Sequence, residues 1–400
     1  MSRATRPSLS CIPPGIWALG LVSLLMDVSS ELIHSLLPLF LVNALGASVL
    51  AVGLIEGLAE ATALIVKMFS GVLSDYWGKR KSLAVLGYGL AALTKPLFAL
   101  APTAGMVLTA RLIDRVGKGI RGAPRDALVA DITPPEARGA AFGLRQALDT
   151  AGAFIGPLLA VALMWCWACN FRAVFWFACI PAALAVAVLV AGVREPKRQT
   201  EAQRANPIRR ENLRRLGGAY WRIVGIGAVF TLARFSEAFL LLRAQQSGLP
   251  IALAPLVMVA MNLVYAAAAY PFGKLSDRIG RRALLTLGLA VLIAADLTLA
   301  LNAGWPVVFA GVALWGLSLG MTQGLLSALV ADAAPPDLRG TAFGVFNLAS
   351  GIALLAASAL AGLLWEQFGA PATFRAGAAF SALALALLLL GRRGLSRNSG

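Results

Sequence analysis

Twelve stretches of this chain are long and apolar enough to cross a lipid bilayer, and that leaves few folds open. A hydrocarbon core of roughly 30 Å takes about 20 residues of helix. The candidate spans are residues 16–42, 48–72, 82–101, 104–130, 139–163 and 172–193, then 222–244, 250–274, 283–302, 306–331, 341–364 and 372–391. Apolar residues make up 59% of the 400 and charged residues 14%, against about 25% charged in soluble domains. The expected fold class is an all-α integral membrane protein. The first run is too long for the apolar region of a cleaved leader.

The net charge of +16 would suggest nucleic acid if it covered a soluble face. Here the basic residues fall between spans, so they read as topology and no nucleic-acid partner is expected. One set of loops holds Lys79, Arg80, Lys81, Arg138, Arg281, Arg282 and Arg339, together with both ends of the chain; the other set is almost free of Lys and Arg. Positive loops stay inside, which places both termini in the cytoplasm. The only long polar segment, 194–221, divides the chain into bundles 1–193 and 222–400 of six helices each.

The two halves repeat each other. Gly71-Val-Leu-Ser-Asp75-Tyr-Trp-Gly78-Lys79-Arg80 returns as Gly273-Lys-Leu-Ser-Asp277-Arg-Ile-Gly280-Arg281-Arg282, 202 positions later. Ala127-Leu-Val-Ala-Asp131 returns as Ala328-Leu-Val-Ala-Asp332, each followed by Pro-Pro and then Arg-Gly. Two parallel six-helix repeats around a mid-membrane site form a transporter architecture.

The Gly-x-x-x-Asp-x-x-Gly-x-Arg-Lys pattern after span 2, doubled after span 8, resembles the signature of the major facilitator superfamily. The resemblance covers essentially the whole chain, with Tyr76 where the family often has Arg. The wording of Asp27-Val-Ser-Ser-Glu31 and Asp114-Arg115-Val-Gly-Lys118 resembles a little-characterised prokaryotic branch, which implies the inner membrane. Gly152-Ala-Phe-Ile-Gly156-Pro157 resembles the span-5 motif of the family's proton-coupled exporters; a second reading is ordinary small-residue packing. The resemblance implies twelve helices in two pseudo-symmetric bundles, secondary transport by alternating access, and a monomer. It also implies that Asp75 and Asp277 dock on helix starts of the opposite half. With Gly71, Gly78, Gly273 and Gly280 they would form a cytoplasmic gate, in which Lys79 and Arg80 pair with Asp131, and Arg281 and Arg282 with Asp332.

Differences between the repeats point to chemistry. Span 1 carries Asp27, Glu31 and His34 on one face, span 2 carries Glu56 and Glu60, span 4 carries Arg111, Asp114, Arg115 and Lys118, and span 5 carries Arg145 and Asp149. Lys95 lies in span 3, and the second half keeps Arg234, Glu237 and Asp296. Intramembrane charge is costly, paired and functional. Two readings stand: an ion-pair network that holds the helices together, or a proton and substrate site. A carboxylate that exchanges arginine partners between two states changes its proton affinity, and Asp27 and Glu31 opposite Arg111 and Arg115 would do this.

The expected function is proton-coupled export of a small molecule, a drug or a metabolite. The alternatives are proton-coupled uptake of an organic anion, a membrane-embedded enzyme or a non-transporting receptor. An enzyme is disfavoured because one histidine in the chain removes most metal-hydrolase designs. No cofactor or metal is expected: Cys166-Trp-Ala-Cys169 lacks a second pair or a neighbouring His, so it reads as small apolar residues.

Overall fold

The computed structural model describes residues 13–77, 79–134, 137–195, 215–322, 325–335 and 338–390, with backbone alone at 71–77, 277, 278 and 327. These residues form helices and no strands. In lipid, backbone N–H and C=O groups must be satisfied within the segment, and a helix does this. The first half contains α1 (Pro14–His34), α2 (Val49–Trp77), α3 (Arg80–Leu100), α4 (Ala104–Ile132), α5 (Arg138–Cys166) and α6 (Phe171–Gly192). The second contains α7 (Gly218–Leu232), α8 (Ala238–Gln246), α9 (Leu256–Ile279), α10 (Arg281–Leu299), α11 (Trp305–Thr322), α12 (Leu325–Ala333), α13 (Arg339–Phe368) and α14 (Ala370–Leu390).

Ten helical stretches are long and apolar enough to cross a membrane. The other two expected spans are present but unusual. Helix α4 has 29 residues, or about 44 Å of rise, yet it carries too much charge to pass as apolar. Span 7 is broken. Expected as one helix over 222–244, it is α7 and α8 with Ala233–Glu237 unwound between them. No Pro or Gly marks the break. Instead the Ala238 N–H donates to Ser236 Oγ at 3.2 Å, and the Ser236 N–H donates to Ser358 Oγ at 3.2 Å, which satisfies groups a continuous helix would have paired. Phe235 is buried against Phe239, Trp315 and Phe374.

Span 1 also departs from a single helix. It stops at His34 and resumes as the short turn Leu37–Leu39 and the π-helical turn Phe40–Ala44. Pro38 is the cause: it has no N–H for the His34 carbonyl four residues back.

The chain forms two compact units. One contains Met1–His34 and Val66–Ala205, the other Ser35–Ile65 and Asn206–Gly400. In the first, α1 packs on α5 and α6, and α3 on α4 and α6. In the second, α7 packs on α13 and α14, and α10 on α11 and α14. These are the same pairings between repeat-equivalent helices. At the α3–α4 crossing a Cβ on Gly87 would lie 2.7 Å from the Gly117 carbonyl, and one on Gly117 2.6 Å from that of Gly87. At the equivalent α10–α11 crossing Ser318 Oγ donates to the Gly288 carbonyl at 2.9 Å.

The second unit holds one further seam. The first half of α2 lies on α13, where a Cβ on Gly57 would sit 3.1 Å from Leu355 Cα and one on Gly362 2.7 Å from Leu50 Cα. Beside it, Asn43 Nδ2 donates to Gln245 Oε1 at 3.2 Å, and Gln245 Nε2 donates to Asn43 Oδ1 at 2.9 Å. These two residues are 202 positions apart, the offset of the repeated loop motif.

Candidate functional site

The buried charge of the first unit is organised along α4. Side chains four apart share one helix face, so Arg111, Asp114, Arg115, Lys118, Arg121 and Arg125 form a stripe. Arg111, Asp114, Arg115 and Arg121 are buried and Lys118 is exposed. A helix with this stripe is tolerable in a membrane only where neighbours supply partners.

Two clusters supply them. In the first, Lys95 of α3, 0% exposed, places Nζ 3.0 Å from Asp114 Oδ1 and donates to Ser30 Oγ of α1 at 3.1 Å. The other Asp114 oxygen lies 3.8 Å from His34 Nε2. His34 Nδ1 lies 3.6 Å from Glu31 Oε1, and Arg115 Nη2 reaches the imidazole at 3.3 Å. The lone histidine therefore joins two carboxylates and an arginine, and Pro38, which ends α1 there, fixes its position.

In the second cluster, Arg125 meets Asp126 at 3.1 Å and Asp149 of α5 at 3.7 Å, and Arg145 meets Asp149 at 3.7 Å and Asp126 at 3.9 Å. Asp27 enters here. The α1 turn that carries it is seated on Gly152 of α5, three residues on from Asp149. Arg121 of the α4 stripe is held over the Tyr88 ring at 4.5 Å.

The span-5 motif supports this arrangement. A Cβ on Gly152 would meet the Leu24 carbonyl at 2.5 Å and Asp27 Cβ at 3.0 Å. A Cβ on Gly156 would meet Glu31 Cβ and the Val28 carbonyl at 2.9 Å. The two glycines therefore seat the α1 turns that carry Asp27 and Glu31, while Pro157, buried inside α5, leaves the Ala153 carbonyl without its helical donor.

Glu56, Glu60 and Glu237 belong to the second compact unit, with Glu56 buried and Glu237 exposed. Lys95, Arg121, Arg125 and Asp126 are the residues the sequence reading did not select as site candidates. Lys95 carried a signal, a lone cation well inside an apolar span. Arg125 and Asp126 lie near the end of a charged helix, where nothing in the sequence sets them apart.

At the helix ends, Arg80 pairs with Asp131 and accepts an additional role at the start of α3, where its N–H donates to Glu195 Oε1 at 2.6 Å. Arg281 pairs with Asp332. Lys79 precedes α3 and is exposed. Gly280 has φ +83°, the left-handed region that glycine enters without a Cβ penalty. The side chains of Asp75 and Asp277, and residue Gly78, lie outside the described residues. Cys166 and Cys169 are exposed free thiols, and no group of three or more metal-type ligands occurs among the described residues.

The sequence profile described as Major Facilitator Superfamily matches residues 19–261 and 223–399. An uncharacterised MFS-type transporter of Methanocaldococcus jannaschii is 33% identical over 94% of each chain. A multidrug resistance protein of Aeromonas salmonicida is 29% identical over 85% of this chain and 84% of its own. The crystal structure of a nucleoside transporter aligns with TM-score 0.77 at 13% identity, over 94% of this chain and 99% of that one.

Proposed function

The chain belongs to the Major Facilitator Superfamily, a multi-pass membrane transporter, and from that premise we propose that it exports a small molecule, a drug or a metabolite, by proton-coupled alternating access. The observation that carries the coupling is the seating of the Asp27 turn of α1 on Gly152 of α5, one turn from Asp149. Two carboxylates gathered at one site share a proton more readily than both ionise. Arg125 and Arg145 are the cations paired on the Asp149 side of this site. Movement of α1 against α4 or α5 would change which cations face it, and with that its proton affinity.

Export is favoured by the Gly152–Gly156–Pro157 seat beneath Asp27 and Glu31, and by likeness to a protein named for multidrug resistance. The moving bodies would be 1–193 and 222–400, joined by the linker 194–221, with both termini cytoplasmic and the chain a monomer in a prokaryotic inner membrane. Asp75 and Asp277 would latch the cytoplasmic side, and the Asn43–Gln245 pair would close the opposite side.

A thermal-shift screen on purified protein identifies a ligand, and flux of that ligand in proteoliposomes is then measured with and without a pH gradient. We expect gradient-driven flux that Asp27→Asn and Asp149→Asn each uncouple. Flux indifferent to the gradient in the unaltered protein would overturn the reading.

A second reading, uptake of an organic anion, is favoured by the buried cations Lys95 of α3 and Arg111 and Arg115 of α4. Anionic ligands stabilising the protein, with flux running inward down a proton gradient, would select this reading over export.

A further inference from the structure

An apolar cavity, open at its mouth, lies among α7, α10, α12 and α14 in the second unit. Its wall is almost wholly apolar, with Ile223, Ile226, Leu285, Leu326 and Leu388 contributing. Arg222 and Arg282 are the charged residues lining it, and both are exposed. Neither forms an ion pair with a described residue, and Arg222 makes only a 3.5 Å contact to its own helix at Gly218.

The position of the cavity fixes what can reach it. It lies near the starts of α7 and α10 and the finish of α14, along the first turns of α12. The Arg281–Asp332 pair ties the start of α10 to the finish of α12 beside it. Two cations at the mouth of an apolar cavity, at the end of a membrane-spanning bundle, match the layout of an anionic amphipath.

The other half of the repeat uses the same helix start differently. Arg80 and Arg281 are equivalent by their salt bridges, each to an Asp 51 residues on. The next residue in the first half, Lys81, donates to the Val190 carbonyl of α6 at 2.7 Å. The next residue in the second half, Arg282, points to the cavity. Arg222 has no counterpart either, because α1 carries no charge before Asp27. The two cations are therefore features of one half and not of the shared scaffold.

We propose that this cavity binds an anionic phospholipid, with the phosphate held by Arg222 and Arg282 and an acyl chain laid against Ile223, Ile226 and Leu326. Arginine suits this role because its planar guanidinium offers paired donors to phosphate oxygens. Basic pockets between membrane helices recognise lipid head groups in this way.

The test uses the full chain in a neutral detergent. Melting temperature is followed on titration with phosphatidylglycerol, phosphatidylcholine, a free fatty acid or inorganic phosphate. We expect phosphatidylglycerol to raise the melting temperature, phosphatidylcholine and phosphate to leave it unchanged, and Arg222→Gln/Arg282→Gln to weaken the response about tenfold. An equal response to phosphatidylcholine, a response to fatty acid alone, or an undiminished response in the double variant would overturn the proposal. Should the double variant fail to fold, Leu388→Trp with both arginines present gives the second readout. Phosphatidylglycerol brominated on its acyl chain should quench that tryptophan more than brominated phosphatidylcholine, and equal quenching by the two would sink the idea.

Discussion

The two halves of the repeat build one scaffold and fill it with opposite chemistry. Positions 95 and 114 of the first half correspond to 296 and 315 of the second, by the 201-residue offset that relates Asp131 to Asp332. In the first half these positions are Lys95 and Asp114, 3.0 Å apart and buried. In the second they are Asp296 and Trp315. Trp315 joins Phe235, Phe239, Phe374 and Trp365 in an aromatic cluster. Asp296 is 0% exposed, and neither carboxyl oxygen has a hydrogen-bond partner among the described residues. The helix pairings are shared and the contents are not. Packing was therefore kept as a frame, while charge was concentrated on the side that carries Asp27, His34 and Asp149.

The largest expected effect tests whether the ionic half is one network. Lys95→Met strands Asp114 without its cation, which costs about 3–5 kcal/mol when a buried pair is broken from one side. Denaturation midpoints of Lys95→Met, Asp114→Leu and the double variant form the check. The double variant should recover most of the loss; additive losses would show that the two residues are not coupled.

Next come the glycine seats. Gly152→Ala drives a Cβ against the Leu24 carbonyl, and overpacking costs about 1–3 kcal/mol. Gly143→Ala on the same helix meets nothing within 4 Å and should gain about 0.5–1 kcal/mol from the lost backbone freedom of glycine. Melting temperatures that moved the same way in both would refute a specific seat under Asp27.

The aromatic half should answer with the opposite sign. Asp296→Leu removes a buried polar group that has no partner, worth about 1–2 kcal/mol of added stability by the cost of such burial. The same substitution at Asp114 lowers stability. A fall in melting temperature at 296 would mean that Asp296 is held by a favourable native interaction after all.

The smallest effect belongs to the seam between Asn43 and Gln245. The pair is exposed, so Asn43→Ala should cost no more than about 1 kcal/mol of stability. Its effect should show in conformation: a cysteine introduced beside it becomes more reactive to a membrane-impermeant thiol reagent when the amide pair is broken. Unchanged labelling would remove the pair from the closing contact.

Much of this was legible beforehand because it is local. Span lengths follow from runs of apolar residues, and those runs need no knowledge of neighbours. The glycine spacing at 152 and 156 predicted a close backbone approach, and α1 is the helix that makes it. Partners were not legible. Asp27 looked fit to face Arg111 or Arg115, and nothing along the string said that the α1 turn carrying it would sit on Gly152 of α5. Glu195 satisfying the N–H that opens α3 had no sequence signal, because the two residues are 115 positions apart.

By itself the sequence determined that the chain is helical, crosses the membrane about twelve times and is a doubled half, since hydrophobic length and internal repetition are properties of the string. Tertiary structure alone decided that span 7 unwinds at Ala233–Glu237, that Lys95 pairs with Asp114, and that Arg282 opens onto a cavity while Lys81 closes on a carbonyl. Each of these depends on which side chains meet across helices, and residue spacing along one helix carries no record of the rotation of its neighbour.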